Sequence, residues 1–167
     1  MSLAEPALKS SLWHQFGAAI DMLESALVAC PDELWHFRSQ QEEFWYIGYH
    51  CLFWQDLYLS GTDEGFTPPA PFDLRELDPA GLYPNHQPTK DELLGYVAHC
   101  RKKCRDTIDS LTDEKAHQTC KFMWGEVSFL ELLLDNMRHV QSHASELLWI
   151  LGEKTGSAPG WVSRTKK

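Results

Sequence analysis

The chain has no C-x-x-C pair, no glycine-rich phosphate loop, no G-x-S-x-G elbow, no run of lysine or arginine longer than three and no long apolar stretch. Its five cysteines (Cys30, Cys51, Cys100, Cys104 and Cys120) are odd in number, which suits reduced thiols in a cytoplasm better than a disulfide framework. Without a phosphate-cradling or dinucleotide fingerprint, nucleotide chemistry has no signature here. Without the elbow, a Ser-His-Asp hydrolase has none either. The formal net charge is −9, with only Arg164, Lys166 and Lys167 gathered near the end. That balance argues against nucleic acid or an anionic membrane as partner. The apolar run at residues 147–151 falls far short of the roughly 20 residues a spanning helix needs. Residues 1–6 show neither a basic n-region nor an apolar h-region, so no signal peptide is expected and the predicted location is cytoplasmic.

What is present is enough for one core. The 167 residues are 43% hydrophobic and 12% aromatic, with seven tryptophans, and read as a single helical domain. Four helices are predicted from apolar residues at helical spacing. The first covers residues 8–30, with Leu12, Phe16, Ile20, Leu23 and Leu27 as its stripe, stopped by Pro31. The second, residues 44–59, is apolar nearly all round and should be the most buried. The third starts at Thr89, capped with Glu92, and runs to Leu111. The fourth opens on Ser128 and Glu131, a capping-box pair, and closes on Gly152. Between the second and third helices, residues 61–88 hold six of the nine prolines. A connection of that length without a period predicts a crossover that also acts as a lid over one end of the bundle. After Gly152 the tail has no period, and Trp161 is expected to fold back on the bundle.

Eight histidines are spread along the chain, and their placement carries the chemistry. His139 and His143 stand four apart on the fourth helix, at the flank of its apolar stripe, so they stack on one face. Two imidazoles so held can share one metal ion, although Val140 comes after His139 and the H-E-x-x-H protease motif is absent. Hydrogen-bonded core-edge histidines would give the same spacing. His50 lies mid-way along the second helix among Tyr46, Ile47, Phe53, Trp54 and Leu57. A buried imidazole needs partners for both nitrogens, which makes His50 the natural third ligand. Glu146 and Asn136 flank the pair and could orient a ligand or handle a proton; they could equally face solvent. Cys100 and Cys104 fall on the third helix's apolar stripe and read as small core residues rather than a thiolate pair. A faint echo between C-P-D-E-L-W-H-F and L-T-D-E-K-A-H-Q suggests two helical hairpins of similar plan. It also creates two Glu-x-x-His motifs, Glu33/His36 and Glu114/His117. Both sit in connectors, so they do not read as a di-iron centre.

With W-Y-I-G-Y-H-C-L-F-W-Q-D-L-Y-L on the second helix and N-M-R-H-V-Q-S-H-A-S-E-L on the fourth, the chain resembles the DinB-like superfamily. The likeness spans nearly the whole domain, including the opening L-W-x-Q-F-G-A-A-I-D-M-L-E and the long crossover. It implies an all-α four-helix bundle in up-down-down-up order, often a homodimer. It further implies a divalent metal, nickel, zinc or iron, on the positions matching His50, His139 and His143. Characterised relatives include thiol-dependent S-transferases and a mycothiol-dependent maleylpyruvate isomerase. The expected function is therefore a metal-dependent transferase or hydrolase acting on a small molecule, with a low-molecular-weight thiol as a candidate cofactor. The alternative is a non-catalytic bundle in which the histidines or their metal serve structure.

Overall fold

The computed structural model describes residues 6–39 and 42–166; residues 1–5 of the stretch read above for a signal peptide, together with Gln40, Gln41 and Lys167, lie outside that range. The element order is α1 (Pro6–Ala29), α2 (Asp32–Trp35), β1 (Arg38–Ser39), β2 (Glu42–Glu43), α3 (Phe44–Ser60), a 3-10 turn (Arg75–Leu77), α4 (Lys90–Asp109), α5 (Asp113–His117), β3 (Thr119–Phe122), β4 (Gly125–Ser128) and α6 (Phe129–Thr155). The predicted echo corresponds to a shared plan. Each half runs long helix, short helix, two-stranded hairpin, long helix.

The structure is mostly helical, and two short hairpins add to the expected helices. Strands β1 and β2 pair antiparallel, as do β3 and β4. In the second hairpin Phe122 pairs with Gly125, leaving Met123 and Trp124 as a two-residue turn. Segments of two to four residues are too short to show a strand period in sequence.

The four long helices form the core: α1 and α3 each pack on both α4 and α6. Helix α3 is the central element, with 13 of its 17 residues buried, as its all-round apolar sequence requires. Gly48 permits that centrality, because a Cβ there would stand 2.9 Å from Leu27 Cδ2 on α1. The polar residues that α3 carries inward must find partners. Asp56, 1% exposed, accepts from Tyr96 Oη at 3.1 Å, His99 Nε2 at 3.3 Å and Lys103 Nζ at 2.5 Å. Arg101 ties α4 to α1 through Asp21 at 2.7 Å and Glu24 at 2.8 Å.

Helix ends obey the expected chemistry with one exception. Thr89 and Glu92 form the full capping box of α4, and the Ser128 hydroxyl accepts from Glu131 N at 3.2 Å to open α6. Gly152, however, is helical. The left-handed cap falls four residues later on Gly156, at φ 76°. An isolated glycine costs a helix only about 1 kcal/mol, so Gly152 is passed over and the helix ends where Gly156 leads into Pro159. The tail does fold back, but not through Trp161, which is 70% exposed. Its anchor is Thr165, 4% exposed, whose amide donates to His14 O at 3.0 Å while its side chain lies against Gly17.

The crossover between α3 and α4 is packed rather than loose. Phe66 meets Phe53 edge-on at 5.5 Å, Phe72 stacks on Tyr96 at 4.6 Å, and Tyr83 stacks on Tyr46 at 4.4 Å. Trp35 Nε1 donates to Pro88 O at 3.0 Å and holds its far end. Among the described residues no helix is long and apolar enough to cross a membrane.

Candidate metal centre

Packing of α3 on α6 brings three imidazoles together. His50 comes from the middle of α3, and His139 and His143 from successive turns of α6. One ring nitrogen of each lies within 4.8 Å of the others, and the ring centroids are 4.6 to 5.4 Å apart. Tetrahedral bonds of about 2.1 Å set ligand nitrogens roughly 3.4 Å apart, so modest ring rotation closes the set. Among the described residues no other group of three histidine, cysteine, aspartate or glutamate side chains converges closely enough to hold an ion.

Two of the rings are held by carboxylates. His50 Nδ1 lies 2.5 Å from Glu76 Oε1, and His143 Nδ1 lies 2.9 Å from Glu146 Oε2. A carboxylate only accepts, so Nδ1 carries the hydrogen in both rings and Nε2 keeps its lone pair for a ligand bond. Glu76 is the site residue that sequence reasoning missed. It sits in the 3-10 turn of the crossover with its side chain 4% exposed. It also accepts from Tyr46 Oη at 3.1 Å and Trp54 Nε1 at 3.3 Å. One buried carboxylate thus pins the crossover to His50 and to two aromatic residues of α3. Nothing in its proline-rich surroundings has a period that would point inward.

Glu76→Gln should keep the size of this side chain but remove its charge and put an NH2 where one accepting oxygen stood, facing either Tyr46 Oη or His50 Nδ1 and Trp54 Nε1. Outer-shell partners of this kind cost about 10- to 100-fold in metal affinity when replaced. Competition of the variant with a chromophoric chelator for zinc should show that loss, with the far-ultraviolet circular dichroism unchanged.

The two rings of α6 are kept in their ligand form. Burial, helped by the neighbouring His143 and His50, pushes the His139 pKa down to about 3. Burial also lowers His143, with Glu146 opposing. An unfolded chain takes up a proton near 6.5 that native His139 refuses until about 3. Stability of the metal-free protein is therefore complete above pH 6.5 and falls as the pH drops toward 3, by about 1.4 kcal/mol per pH unit for each such proton. Urea midpoints measured at pH 7.5, 6 and 5 check the sign.

The remaining candidates divide by burial. Asn136 does not face solvent: it is 0% exposed and its Nδ2 donates to Gln55 O at 3.0 Å. Glu146 is 44% exposed yet reaches His143. Glu33, His36, Glu114 and His117 are all exposed, with His36 on Glu43 at 3.1 Å and His117 Nδ1 on Asp113 O at 2.7 Å; they assemble no centre. All five cysteines are free and buried, and burial raises the pKa of every one. Beside the histidines a depression of about 640 Å³ runs along α6, bordered by His139, His143, Tyr58, Arg138, Ser142 and Trp161.

The geometry can be set beside known proteins. A family model described as the DinB superfamily matches residues 15–147. The crystal structure of a DinB-like protein from Bacillus subtilis superposes with a TM-score of 0.63, covering 93% of this chain and 99% of that one at 11% identity. At that identity the likeness speaks for the fold. No curated protein matches the chain.

Proposed function

The chain belongs to the DinB superfamily, and from that premise we propose that it is a metal-dependent enzyme of the transferase or hydrolase kind whose divalent ion is held by His50, His139 and His143. The observation that carries this reading is the set of three clustered imidazoles, two of them fixed in tautomer by carboxylates. Neutral imidazole suits nickel, zinc and iron. Such an ion on three protein ligands keeps open positions and lowers the pKa of a bound water or thiol toward neutrality. The chain's own residues supply the rest. Glu146 spends Oε2 on His143, and as a half-exposed carboxylate it can accept or return a proton at Oε1. Trp54 and Tyr46 wall the His50 side and exclude water there. No cysteine of the chain offers a thiolate, since all five are buried with raised pKa values. A thiol nucleophile would therefore come from outside, as a low-molecular-weight co-substrate. Buried reduced cysteines also fit a cytoplasmic setting.

A structural role for the metal is disfavoured by the core. Its buried apolar side chains close on one another across all four long helices, which supports a fold that stands without the ion. Stripping metal with a chelator should leave the thermal transition within a few degrees while abolishing turnover. The test is to load the protein separately with nickel, zinc and iron(II) and screen thiol transfer to electrophilic small molecules and ester or amide hydrolysis. One ion per chain with metal-dependent turnover supports the reading; failure of all three ions to bind refutes it. The proposal extends to a homodimer through the outer face of α6, where Leu134 is 42% and Trp149 62% exposed. Light scattering should then give twice the 19.2 kDa chain mass.

A further inference from the structure

Four buried polar atoms on α3 and α6 have no hydrogen-bond partner among the described residues: Gln55 Oε1, Gln55 Nε2, Asn136 Oδ1 and His139 Nδ1. They belong together. Gln55 and Asn136 are both 0% exposed and are joined across the α3–α6 interface, Asn136 Nδ2 donating to Gln55 O at 3.0 Å. Asn136 and His139 are three apart on α6, which sets their side chains next to one another on one face. A buried polar group left alone costs about 1–3 kcal/mol, so each of the four calls for a partner, and a shared one is the simplest. The set is complementary. Asn136 Oδ1 and Gln55 Oε1 accept, Gln55 Nε2 donates, and His139 Nδ1 donates when it carries the ring hydrogen. One buried water needs two to four such groups.

The pattern of the other two rings says what this set is for. His50 is held at Nδ1 by Glu76 and His143 at Nδ1 by Glu146; among the described residues no carboxylate bonds His139. We propose that Gln55 and Asn136 are positioning residues of the histidine site, and that through a buried water they accept the Nδ1 hydrogen of His139 and fix the tautomer whose Nε2 faces His50 and His143. Two carboxylates already balance a divalent cation. A neutral amide backing for the third ring completes the orientation without adding a third negative charge. This inference rests on the metal reading above for its purpose, but its physical content can be read from the metal-free protein.

The experiment is a long-range proton–nitrogen correlation spectrum of the metal-free, full-length protein at pH 7.5, recorded for the native chain and for Gln55→Met, Asn136→Leu and Asn136→Asp. The expected native result is His139 with its hydrogen on Nδ1. Gln55→Met and Asn136→Leu should shift it toward the Nε2–H form, whereas Asn136→Asp, which keeps an acceptor, should retain Nδ1–H. Zinc affinity by chelator competition should fall 10- to 100-fold in the two apolar variants. A merely structural role would leave tautomer and affinity alone. Native His139 in the Nε2–H form, or a tautomer indifferent to both apolar variants, overturns the inference. If the native protein bound none of zinc, nickel and iron(II), the metal reading would fall, and the tautomer result would still decide the positioning claim. Gln55→Met preserves shape and keeps the test alive should Asn136→Leu not fold.

Discussion

Alanine in place of His139 should empty the site of metal. Removing a direct ligand costs more than the 10- to 100-fold of an outer-shell partner, so a loss on the order of a thousandfold is expected for His139→Ala, His143→Ala and His50→Ala alike. Equality among the three comes from their geometry, since each offers one nitrogen to a common point. The contrast is His36→Ala and His117→Ala. Both rings are exposed on connectors and bonded locally, so both variants should bind zinc like the native chain. Metal content after dialysis against a weak chelator, measured by mass spectrometry, separates the two groups. Truncating His139 should not unfold the protein, because no described residue bonds its buried Nδ1 directly and the apolar core stays whole.

The largest effect on stability should come from Asp56→Ala. The carboxylate is 1% exposed and takes hydrogen bonds from Tyr96, His99 and Lys103. Lys103 Nζ also donates to Asp56 O at 2.8 Å and Ser60 Oγ at 2.7 Å, so the ammonium caps the last turn of α3 as well as pairing with the aspartate. Taking one partner from a buried ion pair strands the other, at about 3–5 kcal/mol. Lys103 is 29% exposed and can turn partly to water, so the lower end of that range is expected. Lys103→Met with Asp56→Leu should recover only part of the loss: an apolar pair of similar volume needs no partner, but the buried Tyr96 hydroxyl still loses its acceptor. Urea denaturation of the two variants measures both steps. Metal affinity should move little, because this cluster lies between α3 and α4 and the histidines between α3 and α6.

How much of this was written in the sequence depends on whether a feature repeats at a helical period. The four long helices and the His139/His143 pair were legible because spacing of three and four residues names a helix face directly. His50 was legible through conflict: an imidazole in an otherwise apolar helix must be satisfied somehow. Asn136 sat on the same helix face, but spacing alone could not say whether its amide met solvent or α3; the Gln55 carbonyl decided it. Glu76 was not legible. It acts from a loop without a period, 26 positions from the ring it holds, and only tertiary packing of Phe66, Phe72 and Tyr83 brings that loop down. The end of α6 is ambiguous in sequence because Gly152 and Gly156 are the same residue type, and only the second leads into a proline. The tail's anchor was sought in its large aromatic, whereas the fit of Thr165 against Gly17 fixed it.

The central claim is that three histidines from α3 and α6 meet on one ion. Crystals grown from zinc-loaded protein, with diffraction recorded on both sides of the zinc absorption edge, test it most directly. The account predicts one anomalous peak per chain about 2.0–2.1 Å from a ring nitrogen of each of His50, His139 and His143, with Glu76 and Glu146 still on the outer nitrogens of their rings. A map with no peak at this point, or with zinc held elsewhere while the three rings stay apart, would contradict it.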